Sequence, residues 1–274
     1  MISVIICTKN KQSQLLVCLH SLVINKFTDC EILVIDQTNI SLRNQINQTK
    51  TARIRYYHFP GNGKSQALNY AINQSKGDIL VFTDDDCVVS TNWLDNISRY
   101  FKKNKGIFGV FGKTSAYQPE KHKGLICYAL TDNLPEIIDN PDIIFTRDLG
   151  KGNNMAWRKE ALKKLGNFKT WLGPGAKTGT AGGEETEIVY RALLHGYKIG
   201  FNPKMIVYHN KWITKKESKK LSAKKSLGNI AFLVYYFLKN HDWSLLTKTL
   251  IFKVNSWYLI KGYLIGIFAC ILKK

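Results

Sequence analysis

Apolar runs of strand length alternate with helically spaced apolar residues through the first hundred positions, and that alternation limits the fold more than any other feature. Residues 3–8 read as a strand, after which Leu15, Leu16, Leu19, Leu22 and Val23 recur at helical spacing. Strand patterns return at 31–36 and 54–59. Residues 64–75 fit a helix with Ala67, Leu68, Ala71 and Ile72 on one face. Residues 79–83 form another apolar run, and Trp93, Leu94, Ile97, Tyr100 and Phe101 mark a further amphipathic helix. Such alternation predicts an α/β fold with a mostly parallel central sheet flanked by helices.

The run at 79–83 leads straight into Asp84-Asp85-Asp86. Open α/β sheets bind ligands at the carboxyl ends of their strands. Three adjacent carboxylates repel one another, and a divalent cation is the natural compensation because hard cations prefer oxygen. Thr8-Lys9-Asn10 and Asp36-Gln37-Thr38 end two other strands. These polar ends would collect into a nucleotide-sized crevice, with Asp36 accepting hydrogen bonds from a base or ribose. The loop Gly61-Asn62-Gly63-Lys64 lacks the spacing of a P-loop, and no Gly-x-Gly-x-x-Gly follows the first strand. ATPase and dinucleotide readings lose weight accordingly. A second acidic cluster, Gly182-Gly183-Glu184-Glu185-Thr186-Glu187, opens a helical pattern that runs to His195. Acids there suit the helix dipole, and they equally suit a general base at the mouth of the crevice. Spacing alone does not choose between the two.

At 45% hydrophobic and 12% aromatic, the 274 residues can build a substantial core, which excludes a disordered chain. Six cysteines without Cys-x-x-Cys spacing point to reduced, buried thiols. The N-terminus enters a strand pattern at once, with no signal sequence, so a cytoplasmic protein is expected. Residues 113–148 carry no clear pattern, and 199–209 read as one or two short strands around Pro203.

The net charge of +20 is uneven: from Pro203 onward fourteen lysines face two acids, a net +12. No zinc-finger or helix-turn-helix pattern supports nucleic acid as the partner. Apolar segments beside the lysines point instead to an anionic membrane surface. Two domains are expected, 1–210 and a helical basic and apolar tail at 211–274. In the tail, 211–225 read as a basic connector, followed by apolar segments at 230–238 and 254–272. A spanning helix needs about 20 predominantly apolar residues, and Lys261 would be costly in a bilayer core. Helices lying in the membrane interface are the expectation, with packing onto the domain and a true span as alternatives. The protein would then sit on the cytoplasmic face of a membrane.

Taken in order, these segments resemble the family 2 glycosyltransferases, which bind nucleotide sugars on a GT-A fold. The resemblance covers residues 3 to about 210. It rests on Ser3-Val4-Ile5-Ile6-Cys7-Thr8-Lys9-Asn10, Glu31-Ile32-Leu33-Val34-Ile35-Asp36 and Gly63-Lys64-Ser65-Gln66-Ala67-Leu68-Asn69. It continues through residues 77–86, Gly152-Asn153-Asn154-Met155-Ala156, residues 183–187 and Val207-Tyr208-His209. The resemblance implies that Thr8, Asn10 and Asp36 hold the base and ribose, with Lys64 and Asn69 near the same nucleotide. Asp84 and Asp86 match the family's Asp-x-Asp motif. Asp84 would reach the ribose or sugar, and Asp86 would bind Mn²⁺ or Mg²⁺ on the diphosphate. Asp84 and His209 are further candidates for that metal site, although His209 equally suits a capping role. Asp85, at the motif's variable position, lies beside the nucleotide and is expected to be the most replaceable of the three. Glu185 occupies the catalytic-base position with Glu184 as its neighbour, and adjacent carboxylates raise one another's pKa.

The implied reaction is transfer with inversion from a nucleotide diphosphate-sugar to a hydroxyl of a glycan or lipid-linked acceptor. Residues 150–156 and 171–175 would line the donor and acceptor pockets, with Trp171 either stacked on a sugar or part of the core. Gln37 replaces a frequent Asp, Leu68 a frequent Arg, and Glu185 a commoner Asp, which lengthens the base by one methylene. Two other readings are a sugar nucleotidyltransferase and a non-catalytic membrane-associated partner. The former usually carries a Gly- and Arg/Lys-rich loop after its first strand, unlike Cys7-Thr8-Lys9-Asn10.

Overall fold

Alternate residues of the first strand, β1 (Ile2–Thr8), enter opposite cores: Val4 and Ile6 pack on one face of the sheet, Ile5 on the other. The next strand, β2 (Cys30–Asp36), divides Ile32 and Val34 from Leu33 and Ile35 in the same way. Burial on both faces is why these strands read as unbroken apolar runs. The computed structural model describes residues 1–49, 51–146, 148–252 and 254–272, with Phe145 described through its backbone alone.

Between and after these strands come α1 (Gln12–Val23), α2 (Arg43–Asn47), β3 (Ile54–His58), α3 (Lys64–Gln74), β4 (Ile79–Asp84), β5 (Cys87–Val89), α4 (Trp93–Lys103) and β6 (Ile107–Ala116). The chain continues through β7 (Ile126–Cys127), β8 (Glu136–Ile138), β9 (Asn154–Arg158), α5 (Lys159–Leu165), α6 (Glu184–Leu194), β10 (Lys198–His209) and β11 (Trp212–Ile213). It ends in α7 (Lys215–Asn240), α8 (Ser244–Thr249) and α9 (Ser256–Ile271). The main sheet has the order β3-β2-β1-β4-β9-β6-β10-β5, and β8 also pairs with β10. Strands β1, β2, β3, β4, β6 and β10 share one direction, and β5, β8 and β9 oppose it. The result is a mostly parallel central sheet flanked by helices.

Two parts of the chain refine the expectation. Residues 199–209, expected as one or two short strands, lie in a single strand of 12 residues. The register of β10 against β6 shifts between Asn202 and Ile206, so Pro203 lies in a bulge where no ladder donor is required. Residues 215–225 are helix rather than connector. Thr214 caps α7 by accepting the Glu217 N–H, and the Glu217 carboxylate accepts the Thr214 N–H in return. The lysine-rich opening turns carry no apolar stripe, so that cap is the one sequence signal of the helix.

Helix α7 packs against the rest of the chain through Ile230, Phe232, Leu233, Tyr235 and Tyr236. The Tyr236 hydroxyl donates to Glu187 Oε1 at 2.7 Å, and Arg191 pairs with Glu187 Oε2 at 2.8 Å. All three side chains are buried, so a fully partnered carboxylate pins α7 to α6. Helix α9 lies against α7 by its small residues: a side chain at Gly266 would meet the Ala231 carbonyl at 2.6 Å. No described helix is long and apolar enough to cross a membrane.

Candidate active site

Strand register brings the polar ends level. Cys7 of β1 lies beside Asp84 of β4, and Thr8 lies beside Asp36 of β2. A cleft of about 330 Å³ opens there, reached by Thr8, Gln37, Lys64, Asp84–Asp86, Glu184, Glu185 and His209. Six lysines also line it: Lys9, Lys11, Lys64, Lys151, Lys211 and Lys225.

The three aspartates have separate partners. Asp84 takes Lys64 Nζ at 2.5 Å. Burial works against the Lys64 ammonium, but Asp84 and then the nearby glutamates hold its proton more firmly than usual. Asp85 accepts from Thr8 Oγ1 at 2.8 Å and from Lys11 Nζ at 3.1 Å. Burial raises its pKa against the pull of Lys11. Asp86 accepts from Lys11 Nζ at 2.7 Å and lies 3.0 Å from His209 Nε2. Burial opposes ionisation of Asp86 too, yet His209 and Lys11 together hold it ionised, well below the usual carboxylate range. Asp85 is therefore a buried side chain held by Thr8 and Lys11.

Asp86 and His209 fit a metal ion. His209 Nδ1 faces the Tyr128 carbonyl at 2.5 Å while Nε2 faces the Asp86 carboxylate. Both partners are acceptors, so each ring nitrogen needs a positive atom beside it. Nδ1–H serves the carbonyl, and a second proton or a metal cation serves Nε2. Two ligands about 2.1 Å from an octahedral ion and at right angles lie about 3.0 Å apart, the separation found here. Cys87 Sγ lies within 4.8 Å of the same atoms, but its soft sulfur is a poor partner for Mn²⁺ or Mg²⁺. Asp84 is not grouped with them and faces Lys64 instead.

The glutamate pair opens α6. Gly183 precedes it with φ +97°, in the left-handed region that glycine tolerates. Gly228 of α7 presses against that turn, where a side chain would come within 2.1 Å of the Gly182 carbonyl. This approach sets Lys225, one turn earlier on α7, 3.1 Å from Glu185 Oε1. Burial first, and the charge of Glu185 second, push Glu184 up to about 8. Burial opposes ionisation of Glu185 as well, but Lys225 outweighs it and holds that carboxyl well below its ordinary range. The two carboxyls thus do not raise one another alike. Burial and the neighbouring charge raise Glu184 while Lys225 lowers Glu185, so the pair splits in opposite directions. Burial and the charge of Lys225 also bring Lys151 down to about 8.

Three expected nucleotide contacts lie elsewhere. Asn10 is exposed, with φ +57°, and does not line the cleft. Asp36 is buried and accepts from the Thr38 and Leu42 N–H groups and the Tyr56 hydroxyl, so it folds the loop after β2. Asn69 clasps Phe168 through both its amide groups, at 2.9 Å each. Trp171 joins the α7 core, tilted against Tyr235 with ring centroids 5.7 Å apart, and lines neither cavity at the site. Lys11, Lys151 and Lys225 were not singled out in the sequence. Lys11 stands three residues after Thr8, and Lys225 was hidden in the apparent connector.

Residues 3–166 match the family described as Glycosyl transferase family 2. The chain belongs to that family. The match takes in the aspartate triplet but ends before Glu184 and His209. Among curated proteins, the succinoglycan biosynthesis protein ExoM of Rhizobium meliloti (strain 1021) is 30% identical over 157 residues. Those residues are 57% of this chain, and the match spans 47% of ExoM, about half its length. Among solved structures, Staphylococcus aureus TarS 1-349 (S. aureus) superposes with a TM-score of 0.63 at 17% identity, covering 91% of this chain and 70% of that one. The mannosyltransferase PcManGT of Pyrobaculum calidifontis, in complex with GDP-Man and Mn²⁺, gives 0.63 and 17%, covering 100% and 75%. At such identities these two establish the GT-A fold alone.

Proposed function

We propose that this chain is a metal-assisted, inverting glycosyltransferase using a nucleotide diphosphate-sugar. The observation that carries the reading is the position of Glu185. It lines both the donor cleft and a second cavity, and Lys225 keeps it ionised. Glu185 takes the proton of an acceptor hydroxyl in the second cavity. The hydroxyl oxygen bonds to the anomeric carbon as the bond to the diphosphate breaks, and the electron pair leaves with the nucleotide. Glu184 is a positioning residue whose shared proton orients Glu185. Lys11 and Lys64 bind the diphosphate electrostatically from either side of the aspartates. Asp86 and His209 would hold Mn²⁺, which when bound stabilises charge on the leaving diphosphate. An imidazole nitrogen is a poor ligand for Mg²⁺, which favours Mn²⁺. The Mn²⁺ in the PcManGT complex supports this choice.

The acceptor is a glycan or lipid-linked sugar, and we take the protein to work on the cytoplasmic face of a membrane. Supporting this, Trp257, Ile260, Leu264, Ile267, Phe268 and Ile271 form an exposed apolar stripe along α9. Exposed Lys215, Lys216, Lys219 and Lys220 on α7 add positive charge for anionic headgroups. Lys253, Lys273 and Lys274 of the basic tail lie outside the described residues.

A panel of UDP-, GDP- and dTDP-sugars, scored by thermal shift and by donor hydrolysis with and without Mn²⁺, tests the donor reading. One donor should stabilise the wild-type protein in a Mn²⁺-dependent manner, and Asp86→Ala should lose that dependence. Equal Mn²⁺ dependence in Asp86→Ala would refute the metal assignment.

A further inference from the structure

The two oxygens of the Asp86 carboxylate face different groups. Oδ1 lies 3.0 Å from His209 Nε2, on the side assigned to the metal, and Oδ2 accepts from Lys11 Nζ at 2.7 Å. The same ammonium reaches Asp85 Oδ1 at 3.1 Å. Lys64, the other lysine at the triplet, pairs with Asp84 and leaves Asp86 alone.

These partners differ in freedom. The side chains of Asp85 and Asp86 are 7% and 3% exposed, whereas that of Lys11 is 35% exposed and lines the cleft. Lys11 immediately precedes α1, and its side chain makes no capping bond there. Its four-carbon stem is flexible, so the ammonium can swing into the cleft while the buried carboxylates stay in place. A divalent ion at Oδ1 and an ammonium at Oδ2 are like charges on one carboxylate, in a site where burial leaves their repulsion poorly screened. An ammonium has three donors and no acceptor. It therefore has nothing to offer a metal, but it binds phosphate oxygens well.

We propose that Lys11 is an exchange latch that occupies Asp86 in the free protein and moves onto the diphosphate of the donor. The proposal rests on the metal reading of Asp86 and His209 and adds an order of binding to it. While it is on Asp86, Lys11 compensates the buried aspartates and opposes Mn²⁺. Once on the diphosphate, it leaves Asp86 to the metal. Only hydrogen-bond partners and ion pairs are exchanged.

The test uses the full chain and two substitutions. Lys11→Gln keeps a donor for the carboxylates and removes the charge, and Lys11→Arg keeps the charge. The Mn²⁺ Kd without nucleotide is read from the free-ion signal in electron paramagnetic resonance. The Kd values of UDP, GDP and dTDP without metal are read by calorimetry in the presence of a chelator. Lys11→Gln should tighten Mn²⁺ about tenfold and weaken the preferred nucleotide about tenfold. Lys11→Arg should stay within about threefold of wild type for both. Opposite shifts are the mark of an exchange, because removing a lysine that merely shaped the triplet would weaken both ligands. Mn²⁺ affinity that falls or stays level in Lys11→Gln overturns the latch, and so does an unchanged nucleotide Kd. Mn²⁺ binding that needs Asp86 but ignores Lys11→Gln refutes the latch alone. Mn²⁺ binding that survives intact in Asp86→Ala refutes the metal reading and the latch with it.

Discussion

Glu184 and Glu185 are adjacent in sequence, yet burial raises the pKa of Glu184 while Lys225, which pairs with Glu185, lowers that of Glu185. A base must be ionised to accept a proton, so activity should rise with pH through the pKa of Glu185. Lys225 depresses that pKa, which places the acid limb of the rate profile below the ordinary carboxylate range. Lys225→Met should move the acid limb to higher pH, since burial then acts without its counterweight. A limb that stays in place would show that Lys225 does not set the charge of the base. Asp85 makes a separate point. Asp85→Ala should lower stability by about 1–3 kcal/mol, because it strands the Thr8 hydroxyl beside a vacated acceptor and leaves Lys11 with Asp86 alone. Chemical denaturation would measure this, and a change under about 0.5 kcal/mol would contradict it.

At the scale of elements, α7 connects the C-terminal residues to the chemistry. Gly228 lets it approach the Gly182–Gly183 turn, and Tyr236 fixes its far end to Glu187. Gly228→Val should displace the helix, separate Lys225 from Glu185 and reduce transfer more than it reduces nucleotide affinity. Calorimetry beside a transfer assay checks this, and equal losses in both would point to general unfolding.

The strands and helices of the first hundred residues were legible because their two-faced burial leaves continuous apolar runs and helical stripes. The aspartate triplet was legible because it breaks one such run. Asp36 and Asn69 were placed wrongly for a physical reason. A polar residue at a strand end serves a ligand or its own loop equally well, and nothing local reveals that Asn69 meets Phe168 ninety-nine residues away. Lys225 was hidden because three turns of lysine-rich helix show no apolar period. Thr214 and Glu217 were the available cue.

For the whole molecule, one face of α9 is spent on α7 and the other presents its apolar stripe outward. Anionic vesicles should bind the protein, with binding weakened between about 0.1 and 1 M salt as headgroup attraction is screened. Trp257→Ser with Phe268→Ser should weaken binding at all salt concentrations while leaving nucleotide affinity intact. Sedimentation with vesicles gives both readings, and retention of full binding in the double variant would remove α9 as the contact.

The account depends most on Glu185 as the ionised base and Glu184 as its protonated neighbour. Glutamine imitates a protonated glutamate but not an ionised one, so the two substitutions should separate. The deciding measurement is the transfer rate of Glu185→Gln and Glu184→Gln at neutral pH with saturating Mn²⁺ and donor. Glu185→Gln should lose about 10²–10⁴-fold, and Glu184→Gln should stay within about tenfold of wild type. Full activity in Glu185→Gln, or an equal loss in both, would contradict the account.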